Sequence, residues 1–247
     1  MKGSTPPLPP LLVEALASGS LLDDAGVTHS LDSSVSAWDV ETLIEQVRAV
    51  APRVSAEVGL ALGISTVAIL HAIGPGAVHH VIDPYQDSHW ANLGLSFVRR
   101  NGLEERMRFH EAFPEEVIPG LPELEFAFID GSHLFDYTMS EFVLVDRKLR
   151  VGGRVAFHDI WMPSIRAVIR YVLLNRAYSL VSRPSTPRGG WRRLRERIRG
   201  RLAGRDWFRE RLSGDLLMPL PMKKMGNTVV LRKDGADRRD WRHHVPF

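Results

Sequence analysis

AEVGLALGISTVAIL, residues 56–70, is the stretch on which the reading of this chain turns. An apolar, β-like run over 54–58 leads into Gly59 and Gly63, and a helical pattern follows over 65–72. Glycines at such a strand-to-helix turn let the backbone bend tightly and let a ligand approach the helix N-terminus. Ser65 and Thr66 offer hydroxyls at the same end. A second β-like run, 77–82, ends at Asp83, 20 positions after Gly63 (83 − 63). An acidic residue there can accept hydrogen bonds from ribose hydroxyls. Turn and aspartate together read as an adenosine-ligand site; a plain βα turn with an exposed Asp83 is the alternative. A nicotinamide site is disfavoured, because Ala61 stands two positions after Gly59 and the spacing is G-x-x-x-G, not G-x-G-x-x-G.

Outward from this turn the chain alternates between strand and helix patterns. A helix is expected over 40–50 behind a cap at Asp39, then helices over 88–101, 113–118, 137–149 and 164–174. Between them lie strands over 107–110, 124–129 and 153–157, with later strands over 178–181 and 228–231. This spacing predicts an α/β chain: a Rossmann-like, doubly wound, mostly parallel seven-stranded sheet with helices on both faces. The expected division is an N-terminal arm over 1–37, a cofactor-binding core over 38–183, an Arg-rich insertion over 184–226, and the last core strand with a tail over 227–247.

The composition of the 247 residues, 44% hydrophobic and 25% charged, is that of an ordinary globular protein. There is no cysteine, which excludes disulfides, cysteine catalysis and cysteine-ligated metal centres, and a cytoplasmic location is expected. The opening apolar run is short and broken by prolines, so it reads as an arm and not as a signal peptide. No stretch approaches the roughly 18 apolar residues of a membrane span. Net charge is only +3, and the excess base is gathered over 191–212. There Trp191, Leu194, Ile198 and Leu202 recur at helical spacing and predict an apolar stripe with arginines on the other faces. A lid or packed helix is expected, with peripheral membrane contact as the alternative. Nucleic acid is disfavoured, since the rest of the chain lacks a basic surface signal. A homo-oligomer stays open.

Two further strand ends carry chemistry. FAFIDGSHLFDY, 126–137, places Asp130 at the end of the fourth strand and His133 three residues on. GGRVAFHDIW, 152–161, places His158 and Asp159 at the end of the fifth. Neighbouring strands lie about 4.8 Å apart, so these groups converge above the sheet edge and could hold one divalent cation. The plainer alternative makes the aspartates helix caps.

EVGLALGIST, VIDPY, FIDGSH and GGRVAFHD, in this order and spacing, resemble the class I S-adenosylmethionine (SAM)-dependent methyltransferases of methyltransferase family 24, kin to the macrocin and catechol O-methyltransferases. The resemblance spans roughly 38–174 with a final strand near 228–231. It implies that Glu57, Gly59, Gly63 and Ser65 line the methionine end of SAM, that Asp83 holds the ribose, and that Glu111 and Ala112 lie near adenine, with Asp130 also beside the cofactor. Asp130 and Asp159 match metal ligands, and His158 stands where those relatives carry an aspartate. His133 falls where the catechol enzymes place a basic lysine, which implies a general base. The expectation is therefore O-methylation of a small hydroxylated acceptor, a sugar or an aromatic, with Mg²⁺ or another divalent cation. A metal-independent methyltransferase, a nicotinamide oxidoreductase and a non-catalytic binding protein are the alternatives.

Overall fold

A computed structural model describes residues 7–31, 34–182, 227–243 and 245–247. The first elements are α1 (Pro10–Ser18), a hairpin of β1 (Ser20–Leu22) and β2 (Thr28–Ser30), and α2 (Ala37–Val50). The alternating core follows: β3 (Val54–Val58), α3 (Ile64–Ala72), β4 (Val78–Ile82), α4 (Leu93–Arg100), β5 (Met107–His110), α5 (Pro114–Val117), β6 (Leu124–Ile129), α6 (Phe135–Lys148), β7 (Leu149–Phe157) and α7 (Pro163–Asn175). Two strands, β8 (Tyr178–Ser182) and β9 (Val229–Lys233), close the sheet. Its order is β5-β4-β3-β6-β7-β9-β8. The first five strands of that order run parallel, and β9 lies antiparallel to both of its neighbours.

Side chains alternate across a strand, and β6 uses both of its faces. Phe126 and Phe128 join Leu43 and Val47 of α2, Val67 and Leu70 of α3 and Phe97 of α4 in one core. Ala127 and Ile129 join Phe142 and Val145 of α6 and Val168 and Val172 of α7 in the other. The expected doubly wound architecture is thus present. The expected arm over 1–37 carries a helix whose Leu12 and Ala15 enter the first core. Asp24, in the loop of the hairpin, accepts from Ser96 and pairs with Arg99 on α4.

Several local expectations shift. The cap of α2 is Ser36, and Asp39 is its third helical residue, the two forming a reciprocal capping box. The helix expected over 88–101 begins only at Leu93, because the chain before it winds in turns, with Ala91 and Asn92 at φ 46° and 57°. The insertion over 184–226, with its expected helix stripe, lies outside the described residues. Among those described, no helix is long and apolar enough to cross a membrane.

The register levels the strand ends. Val58 pairs with Ile82 and Ile129, Ile82 pairs with His110, and Ile129 pairs with Phe157. The next residue of each strand, Gly59, Asp83, Glu111, Asp130 and His158, therefore emerges on one carboxyl edge.

Candidate active site

The glycine turn is held from behind. Gly59, Ala61 and Gly63 all adopt positive φ, at 94°, 44° and 79°. Ala61 thus takes the left-handed conformation without being glycine. Glu57 is completely buried, accepting from the Ser65 hydroxyl through one oxygen and from Thr66 Oγ1 (2.7 Å) through the other. His79 Nε2 lies 3.0 Å from that second oxygen, and His79 Nδ1 lies 2.9 Å from Ser55 Oγ. Glu57 and Ser65 thus tie α3 to the sheet. The N-terminus of α3 has no side-chain cap, which leaves backbone donors for an anionic or polar ligand group.

Asp83 is 4% exposed and also serves the turn. Its Oδ2 accepts from Leu60 N, Ala61 N and Gln86 Nε2, all at 3.0 Å, and its Oδ1 accepts from Tyr85 N at 2.9 Å. A carboxylate has about four acceptor positions, so Oδ1 alone keeps capacity for a ribose hydroxyl. Asp83→Ala is expected to lower Tm by about 4–10 °C, because each buried donor left unmade costs about 1–3 kcal/mol. Calorimetry showing an unchanged Tm would mean that the turn stands without this carboxylate. Glu111 is exposed and accepts from Asp87 N at 3.3 Å, and Ala112 is half-buried beside it. Tyr85 and Phe113, both exposed, meet edge to face at 6.1 Å near the same strand ends.

The second half of the edge brings Asp130, His133, His158 and Asp159 together, with one ligand atom from each within 4.8 Å of the others. His133 Nε2 lies 3.0 Å from Asp130 Oδ1 and 2.9 Å from Asp159 Oδ2. His158 Nδ1 lies 3.2 Å from Asp130 Oδ1 and 3.5 Å from Asp159 Oδ1. Burial alone would lower the pKa of His133, but hydrogen bonds to Asp130 and Asp159 push it up to about 9. Burial opposes ionisation of Asp130 as well, yet the two imidazoles hold it down to about 2. Asp159 is depressed in the same way, and His158, buried as it is, is raised by Asp130 first and then by Asp159 and Asp39. In this arrangement the two carboxylates favour the protonated imidazole of His133, which would take a further proton only after releasing its own. His133 and Asp159 also adopt positive φ, at 62° and 50°, conformations that the surrounding contacts must hold.

The structure brings to the site residues that the sequence reading did not place there. Asp39, on α2, lies 3.5 Å from His158 Nε2 and is itself fixed by Ser36, the Asn227 backbone and Thr228. Asn227 donates to Asp159 Oδ1 at 2.6 Å, and the Trp161 indole N–H donates to the same oxygen at 2.8 Å. Glu141, on α6, is 6% exposed and accepts from the Ser132 backbone, while its Oε2 has no hydrogen-bond partner. Its carboxylate packs so tightly under Gly131 that a Cβ there would meet Oε1 at 2.5 Å. An acid four residues after the exposed Tyr137 gives no periodic signal of such a role; only its burial does.

Burial pushes Glu141 up to about 7 from an ordinary 4.5, against the opposing effect of His133. The unfolded chain releases this proton near 4.5 and the folded chain near 7, so native stability is lost as pH rises through that window. At 1.36 kcal/mol per pKa unit the penalty reaches about 3 kcal/mol above pH 7. Glu141→Gln is therefore expected to raise Tm at pH 8 and to leave it unchanged at pH 4; an equal difference at both pH values would refute burial of the charge as the cause.

The mostly parallel seven-stranded sheet with an antiparallel β9 and helices on both faces is a Rossmann-like α/β fold. Residues 56–160 match a family model described as a methyltransferase domain. The fold is similar to that of cofactor-bound Rv0187 from MTB, with TM-score 0.63 and 15% identity over 91% of this chain and 90% of that one. It is also similar to an O-methyltransferase from Bacillus cereus in complex with SAH, with TM-score 0.58 and 14% identity over 82% and 83%. A third similar structure is the O-methyltransferase TomG from Streptomyces achromogenes, involved in tomaymycin synthesis and in complex with SAM, with TM-score 0.53 and 18% identity over 83% of each chain. No curated protein gives a significant sequence match.

Proposed function

We propose that this protein transfers the methyl group of SAM to an oxygen of a small hydroxylated molecule, a sugar or an aromatic. The observation that carries this reading is the meeting of Asp130, His133, His158 and Asp159 beside the glycine turn on one carboxyl edge. Gly59 packs directly against the Asp130 backbone, so a methyl donor seated at the turn would reach the acceptor over the cluster. SAM would take the backbone at 59–63 and the uncapped end of α3, the free capacity of Asp83 at the ribose, and the region of Glu111 and Ala112 at adenine.

Transfer breaks the bond between sulfur and the methyl carbon and forms one between that carbon and oxygen, while the hydroxyl proton of the acceptor leaves. Holding the two reactants in line supplies a large share of the rate. His133, at the rim, is the group placed to exchange the proton, and Asp130 and Asp159 set its orientation. The four donors also suit a divalent cation, because buried His158 has two ring nitrogens without a hydrogen-bond partner. Bound there, such an ion would lower the pKa of a coordinated hydroxyl and fix its direction.

A second reading keeps the same reaction without an ion. The two imidazoles already balance Asp130 and Asp159, and the cluster would then serve as an internal ion-pair network that orients the acceptor. Mass spectrometry of small molecules that copurify with the protein, followed by incubation with labelled SAM and a panel of hydroxylated acceptors, tests the reaction. Label appearing on oxygen supports it; nucleotide-dependent oxidation without methyl transfer would overturn it. Activity that survives a strong chelator would favour the ion-free reading.

A further inference from the structure

The strongest unexplained group near the cluster is His158. It is 6% exposed, and neither ring nitrogen makes a hydrogen bond, although Nδ1 stands nearest to Asp130 and Asp159. Its far nitrogen, Nε2, faces the Asp39 carboxylate at 3.5 Å. That carboxylate is held by the Ser36 hydroxyl, by the Asn227 backbone N–H and by Thr228 Oγ1 at 2.8 Å. A carboxylate behind one imidazole nitrogen, with the other nitrogen turned toward carboxylates, is the arrangement that orients a histidine onto a metal ion. Asp159 is steadied in the same way by Asn227 and Trp161, and Ser164 Oγ donates to the His133 carbonyl at 2.7 Å.

Resting on the metal-assisted reading of this cluster, we infer that the ion it selects is a divalent first-row transition metal, with His158 as a nitrogen ligand, and not Mg²⁺ or Ca²⁺. The separations fit. Nitrogen and oxygen donors bound to one ion at about 2.0–2.1 Å stand about 3 Å apart. The imidazole–carboxylate distances in the cluster run from 2.9 to 3.5 Å. Two of the four donors are imidazoles, and imidazole nitrogen suits Fe, Ni, Cu and Zn. Mg²⁺ and Ca²⁺ take oxygen ligands, and Mg²⁺ gives up its water reluctantly. The nitrogen donors thus set the preference, and the carboxylates supply the charge.

Calorimetric titration of the chelator-stripped full-length chain with Co²⁺, Zn²⁺ and Mg²⁺ tests this, with SAM titrated in parallel. One equivalent of Co²⁺ or Zn²⁺ is expected to bind at least about tenfold more tightly than Mg²⁺. His158→Asn is expected to weaken Co²⁺ binding at least about tenfold while SAM affinity stays within about twofold. If that variant does not fold, Asp39→Asn decides, with a loss of about 10–100-fold expected for Co²⁺. Equal affinity for Mg²⁺ and Co²⁺ would overturn the inference and leave an ion site. Unchanged Co²⁺ affinity in the folded variants would overturn it by placing the ion elsewhere. SAM binding with no ion binding would overturn both the inference and the metal-assisted reading. Tight, His158-dependent Co²⁺ binding without SAM binding would support the inference while overturning the proposed methyl donor.

Discussion

Gly59→Ala is expected to lower Tm by about 5–15 °C and to abolish SAM binding. Gly59 sits at φ 94°, in backbone territory that side chains avoid, and a Cβ there would lie 2.3 Å from the Asp130 carbonyl oxygen. The Cβ position is fixed by the backbone and the atom it meets is a backbone carbonyl, so no side-chain rotation can relieve the contact. Left-handed backbone costs about 1–2 kcal/mol for a residue with a Cβ, and overpacking adds about 1–3 kcal/mol. The displaced atom belongs to the residue that carries the cluster, so the strain passes from the cofactor turn to the acceptor side. Thermal unfolding and calorimetric SAM titration check this, and a variant with native Tm would mean that the β3 and β6 ends are not packed as closely as described.

Asp130→Ala is expected to lower methyl transfer at least about 100-fold, within the range of groups that position or exchange a proton. SAM affinity should change less, because the backbone contact of Asp130 with Gly59 survives the truncation. Asp130 meets both imidazoles through one oxygen, Oδ1, at 3.0 and 3.2 Å. Removing it leaves buried His158 and part-buried His133 facing fewer anions, at a cost of about 3 kcal/mol or more. Its folded pKa lies near 2, below the ordinary 3.8, so its stabilising contribution is present above about pH 4 and lost as pH falls toward 2. The Tm gap between wild type and variant should therefore be wide at pH 7 and narrow at pH 3. Wild-type turnover on an acceptor found by the labelling screen would remove Asp130 from the reaction.

Much of this molecule is written locally. The apolar runs at 54–58 and 124–129 match β3 and β6, because a buried parallel strand needs a short run of apolar residues and announces it without reference to any partner. Gly59 and Gly63 mark the turn, since no other residue occupies such backbone at so little cost. The placement of Asp83, Asp130, His158 and Asp159 at strand ends follows from the same periodicity, and the sheet register then brings them to one edge.

What those residues touch belongs to the tertiary structure alone. Asp39 reads in sequence as a helix cap, yet its carboxylate reaches Asn227 and Thr228, 188 and 189 positions away, and stands behind His158. Asp83 reads as a ribose ligand, and the fold also spends it on the backbone of the turn. Glu141 reads as one more polar residue on an amphipathic helix until α6 packs it beneath Gly131. Periodicity reports whether a side chain faces the interior; it carries no record of which distant groups will share that interior. The charge state, orientation and ligand capacity of Asp39, Glu141 and His158 depend on those neighbours at 3 to 4 Å, and only the folded chain brings them within that range.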